Sequence, residues 1–375
     1  CLKSHVKENT DKSKTFLAII DGSEIRKPES KSAKSLQKVR AIKGDLINGY
    51  RSVGSILISE DNEDVHIVDF EVFSKNNKNY KSDNDYSIKA IKNISKLGLN
   101  TIFVLDRYYD SIQYFKLIQE LNHQFIVRVA HKDRKINYLT KPKYSNLPLT
   151  PAIHDKLRTV EVLQSQIAAF PIENVYTEKL DYIKTKKGVF RNIKVTYRFL
   201  EVQIENDEGN IDGTVIEVVM TKDNNPIYKD PIIIFTNKQG LSELEVKDIY
   251  FKYLQRHGIE EVFRFTKRTL GLETLQIQDF KSIQKLLALT FFCAGYFYLN
   301  KLESLTKPEL KQKIESICNL ALCKGNYTKF YLEEGLKVLY SSFLVSKWQK
   351  ENNLSDDDVI EIAKHFGIYQ LIHGG

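Results

Sequence analysis

Apolar and polar positions along the chain change period several times, and each change marks an element. FLAII, Phe16 to Ile20, is a short apolar strand that runs into Asp21, and the basic stretch RKPESKSAKSLQKVR after it is expected to be an exposed loop. SVGSILIS and DVHIVDFEVF are two β-rich runs separated by the turn-like EDNE, which predicts a hairpin. Beyond the cluster SDNDYS the period becomes helical, with Ile88, Ile91, Ile94 and Leu97 on one face and Gly98 where that helix should stop. TIFVLD then reads as a buried strand ending at Asp106, followed by a helix from about Ser111 to Leu121 and a strand at QFIVRVA.

Three strands, then strand, helix and strand in alternation, predict an α/β fold with a mixed sheet covered by helices on both faces. From His131 to Asp230 the pattern is different. LRTVEVL, the alternating NIKVTYRFLEVQI, the turn-rich NDEGNIDG and TVIEVVM make this section mainly β, and an inserted domain is placed over 131–230. PIIIFTN, Pro231 to Asn237, is one more short buried strand. Beyond it the chain turns helical, through SELEVKDIYFKYLQRHG and IEEVFRFTKRTLG, with later helices expected over 283–299, 309–321, 327–348 and 356–365.

Composition narrows the function class only a little. A chain of 375 residues with 42% hydrophobic and 28% charged positions, and only 17 Gly and 8 Pro, folds around a core and excludes a disordered or collagenous protein. Its 56 Lys plus Arg exceed 48 Asp plus Glu, a balance of +8 that favours an anionic partner. The first 43 residues hold 11 of those cations and 5 of the acids, so +6 of the excess sits at the start, and the stretch from Arg26 to Lys43 is either a track for a DNA backbone or a solvated loop. Another basic patch, His131, Lys132, Arg134 and Lys135, opens the inserted section. Four Cys do not make a disulfide framework, and Cys318 and Cys323 lack a second ligand pair, so a reducing, cytoplasmic compartment and buried helical thiols are expected rather than zinc. The longest apolar stretch, Leu286 to Leu299, has 14 residues, below the roughly 20 that span hydrocarbon, so no membrane partner is expected. The chain opens with Cys1 and its one Met is Met220, from which a missing N-terminal segment is expected.

The candidate chemistry lies in acids that follow apolar runs. Asp21 and Asp106 would emerge at one sheet edge if their strands are neighbours, as hard oxygen ligands suited to Mg²⁺; by pattern alone, strand-end turn aspartates are the plainer reading. Tyr253, Arg256, Glu260 and Lys267, at offsets of 3, 4 and 7, fall near one helical face, where Glu260 would join the aspartates while Arg256 and Lys267 contact phosphate. The plainer alternative is a salt-bridged helix surface. Glu24, Asp69 and Asp110 are expected to be surface or turn acids.

Tyr253, Arg256, Glu260 and Lys267 together resemble the Tyr, two residues, Arg, three residues, Glu, six residues, Lys signature of the DDE transposases of bacterial insertion sequences, in the insertion-sequence-4-like group. On that resemblance the first aspartate is Asp21 in IIDGSEI and the second is Asp106 in VLDRYYD, where Arg107 matches the frequent Asp-Arg pair. The acids are separated by 85 and 154 positions, and the long second interval resembles that family's β-rich insertion in a ribonuclease H-like core. The resemblance covers Thr15 to Leu272. It implies a core in two parts, 15–130 and 231–272, interrupted by 131–230 and followed by a helical region over 273–375. It departs from the family at His257, where several relatives have Trp, and in having only Trp348 overall.

The resemblance further implies a homodimer acting on double-stranded DNA with terminal inverted repeats and on target DNA, nucleoid-associated when bound. Asp21, Asp106 and Glu260 would be the catalytic metal ligands for Mg²⁺, with Mn²⁺ as substitute, and Tyr253, Arg256, Lys267 and Arg107 would contact DNA. The alternatives are an inactive transposase-derived DNA-binding protein and a simple nuclease on the same core.

Overall fold

In the computed structural model the described residues are 10–41, 44–61, 65–131, 134–138, 161–162, 175–185, 188–204, 209–269, 272–273 and 277–306, with a few isolated positions nearer the termini. Cys318, Cys323, Trp348, Lys132 and the expected helices 309–321 and 327–348 lie outside them, as does most of LRTVEVL and of the helix 356–365. Two compact units are present, residues 1–291 and 292–375.

A mixed sheet with helices flanking it forms the first unit, in the ribonuclease H-like arrangement. Strand β1 (Thr15–Arg26) lies between antiparallel β3 (Leu46–Ser59) and parallel β5 (Asn100–Leu105), and β5 is followed by parallel β6 (Gln124–Arg128). On its far side β3 pairs first with β2 (Gln37–Arg40) and then with β4 (Val65–Phe73), the hairpin expected around EDNE. Five residues in the first half of β1, Phe16 to Ile20, are fully buried, as are Phe103 to Leu105 of β5. Near-continuous apolar runs of this kind belong to strands covered on both faces, which these are.

Helices α1 (Asp83–Ser95) and α2 (Ile112–Glu120) follow their sequence signals closely. Ser82 caps α1 by accepting from the Asp85 amide, Ile91 and Ile94 face the core, and Gly98 follows the end of the helix at φ +69°, in the left-handed region glycine tolerates. Phe115 and Ile118 of α2 pack into the same apolar cluster as Phe103 and Phe125 of the sheet.

The β-rich section extends this sheet. Strand β13 (Ile232–Thr236) pairs antiparallel with β6, and β11 (Ile211–Lys222) pairs with β13; β10 (Gly188–Ile204) follows β11, with β9 (Val175–Thr185) and β7 (Lys135–Tyr138) along it. Short strands β8 (Glu161–Val162), beside β7, and β12 (Asn225–Pro226), beside β11, bring the sheet to 13 strands among the described residues.

Helical structure returns with α3 (Glu243–Leu254), opened by a capping box between Ser242 and Glu245, then α4 (His257–Arg264) and α5 (Phe280–Thr306). Two glycines bring α4 down onto β3. A Cβ on Gly54 of β3 would lie 2.7 Å from the Phe263 ring, and one on Gly258 of α4 would lie 2.6 Å from the Ile58 methyl, both inside normal contact. The absence of side chains at these positions sets the spacing between helix and sheet.

Three local expectations are revised. Asp21 is not at a strand end, because β1 runs on to Arg26 while β3 pairs with it throughout. The basic stretch after β1 is only partly a loop: Gln37–Arg40 is a strand, Ala33 and Lys27 are buried, and Lys27 donates to the backbone carbonyls of Leu272 and Glu273. Asp110 is fully buried rather than on the surface, since its carboxylate accepts from the Ala130 and His131 amides at 2.6 and 2.9 Å and pairs with Arg134 at 2.7 Å.

The close approach of α4 has a direct test. Gly54→Val is expected to lower stability by about 1–3 kcal/mol, because the rigid Phe263 ring must move. Gly258→Ala is expected to cost less, since the Ile58 methyl is a flexible tip and Ala favours a helix by about 1 kcal/mol over Gly. Urea unfolding of the two variants checks the order.

Candidate active site

The first two acids are juxtaposed by strand register. Ile19 of β1 is paired with Val104 of β5, so carrying that register two residues further sets Asp21 beside Asp106. There β5 ends while β1 continues, and the sheet is open beside Asp21. Asp106 caps a single 3₁₀ turn, Arg107–Tyr109, by accepting from the Tyr108 amide at 2.8 Å. Asp21 accepts from the Gly22 amide at 2.7 Å, which leaves its other oxygen for a partner from elsewhere.

That partner comes from the junction of α3 and α4. The Arg256 guanidinium donates to Asp21 Oδ2 at 3.1 Å and to Glu260 Oε1 at 2.8 Å, so one cation holds two carboxylates that are 239 positions apart in the chain. The Arg256 side chain is 14% exposed, against 18% for Asp21 and 47% for Glu260. His257 Nδ1 stands 3.4 Å from the same Glu260 oxygen.

The continuous helix expected through Tyr253, Arg256, Glu260 and Lys267 is broken twice. The backbone amides of Gln255, Arg256, Gly258 and Ile259 bond three residues back, a 3₁₀-type tightening that separates α3 from α4. At Phe265–Thr269 the helix widens into a π turn. The buried Thr266 hydroxyl bonds back to the Val262 and Phe263 carbonyls, a contact that bends helices. As a result Tyr253 is buried, Arg256 and Glu260 face Asp21, and Lys267 turns to β1. Lys267 Nζ donates to Ser23 Oγ at 2.7 Å and to the Glu24 carbonyl at 2.6 Å. Arg107 is exposed on the turn after Asp106.

Electrostatics distinguish the acids. Burial, and then the Asp106 charge, push the Asp21 carboxyl up to about 7 despite the opposing pull of Arg256. Glu260 is held down to about 2, chiefly by His257 and then by Arg256, which overcome its partial desolvation. Burial lowers the pKa of Lys267. A cleft of about 440 Å³ opens beside Asp21, where Ser23, Arg26, Arg51, Tyr108 and Lys267 line it.

Among the described residues no group of three or more His, Cys, Asp or Glu stands close enough together to hold a metal ion. The donor chemistry nevertheless suits a hard divalent cation. Asp21, Asp106 and Glu260 supply carboxylate oxygens alone, and Asp21 carries repulsion from both of the others that a cation would relieve. Arg256 supplies the positive charge in this state.

Asp21 within β1, Asp106 just past the end of parallel β5 and Glu260 on a later helix thus share one region of a ribonuclease H-like fold. A model of the transposase DDE domain matches residues 13–295, and the chain belongs to that family. No match was found among curated proteins. Family membership makes DNA the class of partner and gives the chain enzymatic potential. Among the described residues no helix is long and apolar enough to cross a membrane.

His257 is the one contributor whose role the sequence pattern missed. Its place beside Arg256 marked a departure from the family, and the turn that starts α4 is what directs its ring to Glu260.

Two outcomes follow from these contacts. Because the folded pKa of Asp21 lies above its unfolded value of 3.8, the native chain binds that proton more tightly, and the group's effect on stability worsens as pH rises from about 4 through about 7. In metal-free buffer Asp21→Asn should therefore match the parent near pH 4 and exceed it at pH 8, by on the order of 2 kcal/mol. Urea unfolding at both pH values checks this, and an unchanged or less stable variant at pH 8 contradicts it. Lys267→Ala should lower the stability of the DNA-free protein by about 1–3 kcal/mol, because two part-buried hydrogen bonds to a charged group are lost. An unchanged melting curve would confine Lys267 to DNA contact.

Proposed function

We propose that this chain is a DNA transposase that cleaves phosphodiesters at the ends of a mobile element and joins the freed 3′ hydroxyl to target DNA, with Asp21, Asp106 and Glu260 as the catalytic carboxylates. The observation that carries the proposal is the meeting of Asp21 and Glu260 on one guanidinium, with Asp106 just past the end of the adjoining strand, in a chain of the transposase DDE domain family.

The three carboxylates would hold Mg²⁺, or Mn²⁺ in its place, and such ions when bound stabilise the charge that develops on attacking and leaving oxygens. The chain's own residues do the rest. Arg256 offers a planar fork of donors that matches a phosphate, and Lys267 brings a point charge to the cleft beside Asp21. Arg107, exposed after Asp106, reaches the DNA backbone, while buried Tyr253 supports the turn that aims Arg256. Backbone contacts of this kind set register and salt dependence rather than sequence choice. The rigid 3₁₀ turn after Asp106 holds its carboxylate in one orientation, and the ring of His257 holds Glu260 ionised.

Two copies on two paired ends form the working assembly, because joining at one target position needs both ends together. A nuclease on the same core would cut without joining.

The test uses DNA carrying the terminal inverted repeats that flank the gene. With Mg²⁺ the parent protein is expected to cut at the repeat boundary and to join the ends to a second duplex. Asp106→Asn should bind that DNA with similar affinity and react more slowly by roughly 10²–10³-fold or more, the scale for losing one preorganised charge-stabilising group. Full cleavage by Asp106→Asn contradicts the assignment, and cleavage without joining by the parent points to the nuclease.

A further inference from the structure

We infer that Arg256 is a resident counterion of the carboxylate site, and that it must leave Asp21 and Glu260 before a divalent cation can occupy that site. The inference rests on the proposed metal role of these carboxylates.

The geometry supplies the reason. Arg256 spans the gap between Asp21 Oδ2, at 3.1 Å, and Glu260 Oε1, at 2.8 Å, with two different guanidinium nitrogens. The nitrogens take oxygens that a shared cation would need. With Arg256 14% and Asp21 18% exposed, this pair is sheltered from water, whereas the i,i+4 pair to Glu260, 47% exposed, stands open to solvent. Asp21 and Asp106 each commit one oxygen to a neighbouring backbone amide, which leaves Asp21 with Oδ2 as the oxygen free of the chain backbone. Arg256 holds that very atom.

A phosphate that takes the Nη1 and Nη2 donors now given to the carboxylates displaces Asp21 and Glu260 from them. A DNA phosphate arriving near α4 competes for the fork, and its capture of Arg256 would release Asp21 and Glu260 together. DNA binding and metal binding then favour one another by linkage, because each removes an obstacle to the other. In the absence of DNA the carboxylates stay neutralised by an internal cation, which keeps like charges together without a metal.

The experiment is Mn²⁺ binding to the full chain without DNA, measured by titration calorimetry, for the parent, Arg256→Gln and Arg256→Gln combined with Asp106→Asn. Arg264→Gln, which removes an exposed ion pair to Glu261, serves as a control for loss of a positive charge on the same helix. Arg256→Gln is expected to bind Mn²⁺ about tenfold more tightly than the parent, a change of about 1.4 kcal/mol, and the added Asp106→Asn is expected to remove that gain. Arg264→Gln should match the parent. Circular dichroism confirms folding, and if Arg256→Gln fails to fold, Arg256→Lys takes its place. Lys keeps the charge but lacks the fork, so it is expected to bind Mn²⁺ more tightly than the parent by a smaller factor.

Unchanged or weaker Mn²⁺ binding in the Arg256 variants, at a site that Asp106→Asn still abolishes, overturns the counterion role and leaves the metal ligands standing. Binding that Asp106→Asn does not affect in any background overturns both.

Discussion

Helix α4 can reach strand β3 only because no side chain stands at Gly54 or at Gly258. A Cβ at Gly54 would fall 2.7 Å from the rigid Phe263 ring and lift the helix, and one at Gly258 would press on the more yielding Ile58 methyl at 2.6 Å. Gly54 is paired with Asp21 across β1 and β3, which puts this close approach directly beside the first acid. The rest of the site depends on that spacing. Arg256 and Glu260 stand at the start of α4, and a displaced helix would carry their side chains out of hydrogen-bonding range of Asp21. The sheet determines where two acids lie, and helix packing determines whether the third meets them.

The helix itself departs from regularity where the chemistry is concentrated. Three-residue hydrogen bonds tighten it around Arg256, and a π turn widens it around Lys267. Local departures of this kind are frequent at functional sites because they aim side chains that a regular helix would aim elsewhere. Here the two cations of one sequence signature serve different neighbours. Arg256 binds carboxylates, whereas Lys267 pins the part of β1 beyond Asp21 through Ser23 and Glu24. Lys267 thus has a structural task in the free protein alongside any contact with DNA.

Strands and helices with one dominant period were legible from the sequence: the β3–β4 hairpin, the apolar face and Gly98 stop of α1, β5 leading to Asp106, and β13 coincide with their patterns, although α1 starts at Asp83 within the cluster SDNDYS rather than after it. The site residues were legible as a spacing, because the four-residue signature survives whatever the helix does between its members. Their geometry was not. Periodicity assumes a uniform helix, so it could not show the break at Arg256, and it gave no sign that Thr266 would bond back and widen the next turn. Asp110 was misjudged for a related reason: its partners, the amides of Ala130 and His131 and the side chain of Arg134, are brought to it by tertiary folding. The end of β1 was misjudged too, since the polar residues after Asp21 continue a strand that β3 holds in register.

If Asp21, Asp106 and Glu260 form one site, bound metal lies close to all three. Replacing Mg²⁺ with Fe²⁺ in the DNA-bound protein, and generating hydroxyl radicals there with ascorbate and peroxide, cuts the polypeptide near the metal. Mass spectrometry then maps the cuts. The expected result is cleavage clustered around residues 21, 106 and 260 and suppressed by excess Mg²⁺. Cuts confined to one of these segments, or located elsewhere in the chain, would contradict the shared site.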